Sequence, residues 1–305
     1  MMGWTNRHCR AFHRVVAPSA RLYTEMVHAL AVVHAHERVI AFSDCEQPVA
    51  LQLGGNIPHD LAQAARIAAR AGYVEINLNC GCPSERVQHG GFGASLMLDP
   101  CRVQACVRAM ADAVALPITV KCRLGVNNQF SYQQFADFVS CLHDENVPMV
   151  IVHARQAWLD GLSAKENRNV PPLQYDWVYR VKNDFPSMKV ILNGGVDSVA
   201  SALDHLRFVD GVMLGRAAYH NPYLLHQLDS VLTHVQQQSR AQLLQNWQPY
   251  IEKCVSSGVA LGHLLRHTLG LFHGQRGGKA FRRFVNQNRS GQWQNVAEII
   301  QMLEK

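Results

Sequence analysis

The chain has 305 residues, 48% of them hydrophobic, and a formal net charge of +6. That length suits one large domain with a small one, or two ordinary domains; no apolar run approaches the roughly 20 residues needed to cross a bilayer, so a soluble protein without a membrane partner is expected. The 9 cysteines follow no framework spacing and no secretory signal precedes them, which argues against a disulfide-stapled secreted scaffold and for reduced thiols in the cytoplasm.

In chain order, Trp4-Thr5-Asn6-Arg7-His8-Cys9-Arg10-Ala11-Phe12 reads as the loop and helix that would follow a strand. Leu22–Val27 is the first strand candidate. Val39–Phe42 and Asp44–Gln47 read as an extended excursion before a second strand at Val49–Leu53. Leu61–Ala71 is an Ala-rich helix, and Val74–Leu78 is a strand in which Val74, Ile76 and Leu78 alternate with Glu75, Asn77 and Asn79. This stretch breaks at Gly81 and Pro83, so Cys80 and Cys82 fall where strand gives way to loop. Arg102–Val114 is helical, Ile118–Cys122 a strand and Phe135–Leu142 a helix. Met149–Val152 and Lys189–Leu192 are strands, Val199–Leu206 a helix and Gly211–Leu214 a strand. Strands alternating with helices imply right-handed βαβ units and a parallel sheet. No G-x-G-x-x-G turn follows an early strand, so a dinucleotide-binding Rossmann site is not supported. After Asn221-Pro222 the alternation stops. A boundary is expected in Ser230–Arg240, and from Ala241 the spacing of Leu243, Leu244, Trp247 and Ile251 predicts a helix with one buried face.

Seven strands are one short of a closed (β/α)8 barrel. The sequence is therefore expected to form a TIM barrel whose first strand is largely absent, with only its carboxyl end left at Met1 and Met2; an open doubly wound sheet is the alternative. In a barrel, the strand ends converge on one basin. They carry Gln52 before Gly54-Gly55, Asn79 and Cys82, Lys121 and Arg123, His153 and Arg155, Asn193-Gly194-Gly195, and Gly215-Arg216. Lys121 inside an apolar strand requires an anion or an acceptor nearby. His153 fits a phosphate donor or a satisfied core histidine, and Gln52 a ligand contact or an isolated polar barrel residue. The two glycine turns, with Arg216, suit a phosphate. A thiol at such an edge can be a nucleophile, a metal ligand or a proton donor, although two cysteines packed as small hydrophobes would fit as well. A zinc site is not supported, because no second Cys/His pair has suitable spacing. Between Glu252 and Glu298 there is no acidic residue, while Lys253, Arg266, Arg276, Lys279, Arg282, Arg283 and Arg289 lie in that interval. This basic tail fits a polyanion such as nucleic acid.

Together these residues resemble the tRNA-dihydrouridine synthases, and within them the A subfamily. The resemblance rests on Trp4 to Arg10, Leu22-Tyr23-Thr24-Glu25-Met26, Gln52-Leu53-Gly54-Gly55, Asn77 to Ser84, Val120 to Gly125, Val152-His153-Ala154-Arg155, Asn193-Gly194-Gly195, Gly215-Arg216, Gly270 to Gly274 and Lys279 to Arg283. It implies an FMN-binding TIM-barrel catalytic domain over residues 1–230 and a small all-helical tRNA-binding domain over 238–305. The implied reaction is NADPH-dependent, FMN-mediated reduction of the uridine C5–C6 bond in the tRNA D-loop, at positions 20 and 20a. It assigns the proton donor to Cys82, and flavin contacts to Met1, Gln52, Lys121, His153, Asn193, Gly194, Gly195, Gly215 and Arg216. Asn79, Arg168, Lys279, Arg282 and Arg283 match positions that face tRNA, and a monomer is expected.

Two departures stand out. The family begins with a strand ending in Ala-Pro-Met, of which only Met1 corresponds here, and Asn6 replaces the usual aspartate. Two other readings compete: an FMN barrel that reduces a small molecule, and a truncated, non-catalytic RNA-binding relative.

Overall fold

The computed structural model describes residues 1–287, with the side chain of Glu37 excepted. Arg289 and the last part of the expected helical unit lie outside the described residues. Helix α1 (Arg7–Val16) comes first. Asn6 serves as its cap, its side-chain oxygen accepting from Cys9 N at 3.0 Å, and asparagine caps as well as aspartate does. The strands are β1 (Leu22–Tyr23), β2 (Val27–His28), β3 (Val49–Gly54), β4 (Glu75–Cys80), β5 (Ile118–Cys122), β6 (Met149–His153), β7 (Lys189–Asn193) and β8 (Gly211–Met213). Between them run α2 (Ala29–Val39), α3 (Pro58–Arg70), α4 (Glu85–His89), α5 (Pro100–Ala113), α6 (Tyr132–Asp144), α7 (Tyr175–Asp184) and α8 (Val199–Leu206).

Every pairing between these strands is parallel, and the strand order is β1-β3-β4-β5-β6-β7-β8, with β2 continuing along β3 beside β1. The sheet curls as a TIM-type α/β fold. Among the described residues no strand joins β8 to β1. Met1 stands at that opening, its sulfur 3.7 Å from where a side chain on Gly215 would begin.

Several bounds differ from the expected ones for identifiable reasons. The first strand divides into β1 and β2, and β4 runs on to Cys80 because Asn79 and Cys80 pair with Lys121 and Cys122. Half of the expected extended excursion is helical. Val39 ends α2, which is kinked at Ala35 (φ −146°, ψ 34°), and Asp44–Glu46 forms a 3-10 turn. Glu46 fixes that turn: its carboxylate accepts from Ser43 N at 2.6 Å and from Arg10 Nε at 2.8 Å.

The last helices are α9 (Arg216–His220), α10 (Pro222–Thr233), α11 (Arg240–Ser256), α12 (Leu261–Leu265) and α13 (Gly278–Gln287). Helix α10 passes through Ser230 and stops at His234, whose φ is 57°. Leu243, Leu244, Trp247 and Ile251 are buried as the spacing requires, and they share a core with Leu264, Leu271, Phe281 and Val285. That core also takes Phe12 and Val16 from α1, and the Phe12 and Trp247 rings lie 4.9 Å apart. The first helix is thus built into the last part of the chain.

Candidate active site

All three polar residues of β4 are buried, and they face the inside of the curled sheet. There they form one continuous chain of hydrogen bonds. At its base Glu75, only 2% exposed, accepts from Arg21 Nη1 at 2.9 Å, Tyr23 OH at 2.9 Å and Thr119 Oγ1 at 2.7 Å. Asn77 Nδ2 donates to Thr119 Oγ1 at 2.9 Å, and Gln52 Nε2 donates to Asn77 Oδ1 at 2.8 Å. Asn79 Nδ2 donates to Gln52 Oε1 at 2.9 Å. At the top, Asn79 Oδ1 accepts from the backbone N–H groups of Gly81 at 3.0 Å and Cys82 at 2.9 Å. A buried polar chain with every member paired is rigid, so the loop carrying Cys82 is fixed from below.

The two cysteines of this loop have different surroundings. Cys80 is fully buried, and burial raises its thiol well above the ordinary range; it packs as an apolar residue. Cys82 is half-buried at the mouth of the curled sheet. Lys121, Arg123 and Arg168 all lie within electrostatic reach of its sulfur. Burial, with Arg123 adjacent, pushes the Lys121 ammonium down to about 8. Lys121 Nζ donates to Asn193 Oδ1 at 3.0 Å, and Asn193 Nδ2 donates to Met213 O at 2.7 Å, which ties β5 to β7 and β8.

His153 pairs with Asn193 in the β6–β7 ladder. Burial holds its imidazole well below the usual range, reinforced by Arg123, Lys121, Arg155 and Arg216. The histidine is thus neutral within a ring of cations. A side chain on Gly194 (φ 112°) would begin 2.7 Å from the His153 ring, and one on Gly195 (φ 73°) would begin 2.4 Å from Tyr175 OH. Only glycine fits at these two positions.

Three arginines, from the ends of β5, β6 and β8, grip one loop, residues 156–171. Arg123 Nη1 donates to Gln156 O at 3.1 Å and Asn167 O at 2.8 Å, and its Nε to Gly81 O at 3.2 Å. Arg155 donates to Asn169 O and Pro171 O. Arg216 donates to Asn169 Oδ1 at 2.8 Å and Arg168 O at 3.1 Å. Arg168 is thereby held over the mouth. Arg155 Nε is buried with no partner among the described residues. A cationic ring around a neutral histidine, with one buried donor unspent, fits a bound anionic cofactor such as a flavin phosphate.

Residues 1–304 match the sequence model of the dihydrouridine synthase (Dus) family. The chain belongs to this family. It is 59% identical over 288 residues to a tRNA-dihydrouridine(20/20a) synthase of Xanthomonas campestris, covering 94% of this chain and 86% of that protein. It is 56% identical over 309 residues to one of Xylella fastidiosa, covering 100% and 91%. Against one of Vibrio vulnificus the identity is 46% over 308 residues, covering 100% and 94%.

In this dihydrouridine synthase family member the structure brings Gln52, Asn79, Cys82, Lys121, His153, Arg168, Asn193 to Gly195 and Arg216 to one mouth, with Met1 and Gly215 at its open side. Lys279, Arg282 and Arg283 stand elsewhere, exposed on α13, whose Phe281 and Val285 face the helical core. The sequence placed Arg123 and Arg155 at the strand ends without giving them a role, and it did not assign Arg21, Tyr23, Glu75, Asn77 and Thr119 to the site. The alternation in β4 was the available signal: in a strand covered on both sides, the polar set must point into a barrel rather than into water.

Proposed function

We propose that the chain reduces uridine to 5,6-dihydrouridine at positions 20 and 20a of the tRNA D-loop, with FMN as its cofactor and NADPH as reductant. The observation that carries this reading is the half-buried Cys82 thiol, set by Asn79 among Lys121, Arg123 and Arg168 at the mouth. The names of the relatives point the same way.

Bound FMN supplies hydride chemistry at uracil C6. Gln52, Lys121, His153, Asn193, Gly194, Gly195, Gly215, Arg216 and Met1 would hold it, with Lys121 toward the electron-rich edge of the ring and the glycine turns with Arg216 toward the phosphate. Cys82 donates the proton that completes C5. The target base must leave its stack to reach the thiol, which costs a few kcal/mol and less in a loop than in a duplex. Arg168 and Asn79 line the space that such a base would enter. Asn79 additionally orients Cys82, a role the sequence reading did not give it.

The domain assignment, a catalytic unit over 1–230 and a tRNA-holding helical unit over 238–305, is retained with one amendment: α1 packs into the helical unit's core. Lys279, Arg282 and Arg283 would grip tRNA phosphates, which add affinity but little sequence information. Among the described residues no helix is long and apolar enough to cross a membrane; a cytoplasmic monomer is part of the proposal.

The test is mass analysis of D-loop uridines after incubating unmodified tRNA with the full chain, FMN and NADPH. Dihydrouridine at 20 and 20a is expected. Reduction of free pyrimidines but not tRNA would support a small-molecule reductase instead, and tRNA binding without any flavin would support a non-catalytic relative.

A further inference from the structure

The proton that Cys82 gives up must be restored before another turnover, and the side chain beside its sulfur is Ser84. Cys82 Sγ and Ser84 Oγ lie 3.4 Å apart. Ser84 occupies the cap position of α4, with φ −73° and ψ 142°. A serine there ordinarily turns its hydroxyl onto the free N–H groups of the first turn. This one does not: its hydroxyl makes no cap bond. Only its main-chain carbonyl serves the helix, accepting from Val87 N at 2.9 Å and Gln88 N at 3.0 Å. The hydroxyl is left to the thiol.

The pair is held from both sides. Cys82 N is bonded to Asn79, and Cys82 O accepts from Ala94 N at 2.9 Å. Beyond Ser84, Gln88 Nε2 donates to Pro83 O at 2.8 Å and to Leu159 O at 2.7 Å, pinning α4 against the loop after β6. Ser84 is half-buried while Glu85 and Arg86 next to it are exposed, so the residue hydrogen-bonded to the sulfur is itself partly open to solvent.

We propose that Ser84 is the relay through which Cys82 regains its proton, resting on the assignment of Cys82 as the acid. The S–H bond breaks as the C5–H bond forms, leaving a thiolate. The Ser84 hydroxyl hydrogen-bonds that thiolate, passes it its own proton and takes one from water. One solvent proton is consumed per turnover, and no oxidant or reductant enters the step. Ser84 acts through Cys82 and does not contact the base.

The test follows alkylation of Cys82 by iodoacetamide across neutral and alkaline pH, read by mass spectrometry of its peptide, in the full chain without RNA or added reductant. Losing one hydrogen bond to the thiolate should move the alkylation curve of Ser84→Ala to higher pH by about 0.5–1, while Ser84→Thr keeps the parent curve. In turnover, Ser84→Ala should lower kcat about 10-fold with the KM for tRNA unchanged, and threonine should rescue it. A curve that stays in place in the alanine variant overturns the proposal, whatever kcat does. If the parent forms no dihydrouridine, the functional reading fails, but the alkylation comparison still decides whether the two side chains are coupled.

Discussion

At the strand ends, Lys121, Arg123, Arg155 and Arg216 are each held by carbonyl or amide oxygens of neighbouring loops. On α13, Lys279, Arg282 and Arg283 stand in water over Phe281 and Val285. Both surfaces are basic, but only the first is prearranged. Charges fixed in a partly dry mouth act at specific atoms, whereas exposed ones act on phosphates through a field that salt weakens. The comparison separates where chemistry is selected from where the large substrate is retained.

The sharpest break comes from the mouth. Cys82→Ala should reduce dihydrouridine formation by at least about 100-fold, while the rate at which NADPH is consumed without tRNA stays at the parent value. Normal product formation by this variant would remove the acid from the scheme.

Next in size is Arg123→Met. It leaves the carbonyls of Gly81, Gln156 and Asn167 without their donor, and should lower unfolding free energy by about 2–4 kcal/mol in urea titration. A smaller loss than in an exposed control such as Arg108→Ala would show that the mouth is not prearranged.

The helical side has its own buried groups. Burial lowers His13 to about 4, and burial with Arg266 adjacent lowers His267 to about 3, against an ordinary value of 6.5. The unfolded chain therefore takes up these protons first as pH falls. The stabilisation is complete above about 6.5 and is lost progressively toward 4 and below, amounting to a few kcal/mol. Thermal melts across that window should show it, and His13→Gln with His267→Gln should flatten the dependence.

The smallest effect belongs to the exposed cluster. Arg282→Glu with Arg283→Glu should weaken tRNA binding about 10-fold and reduce the log–log salt slope by about 1–2, leaving flavin reduction unchanged. An equal salt slope would place α13 off the RNA path.

How far the sequence discloses all this depends on what each residue meets. Strand β5 is legible to the residue, because Pro117 precedes it and its residues are apolar except at Thr119 and Lys121. Helix α8 is equally clear from its spacing. Helix α2 is not, since its kink at Ala35 interrupts the periodicity that would reveal it. The glycine turns and Arg216 can be read from their strand ordinals, and the Cys82 loop from its Gly and Pro. Glu75 can be read only once β4 is placed inside a barrel, because alternation alone looks the same whether the polar face meets water or a lumen. Ser84 reads as an ordinary cap, and only the direction of its hydroxyl says otherwise.

His8 Nδ1 and Tyr250 OH lie 2.9 Å apart although 242 residues separate them in the chain. During translation the apolar side of α1 lacks its α11 partner until every strand has followed. Contacts that remote in sequence close late, so Phe12 waits for Trp247 until α11 has been made. Sticking to other chains is the hazard of that interval, and docking of α1 on α11 brings it to an end.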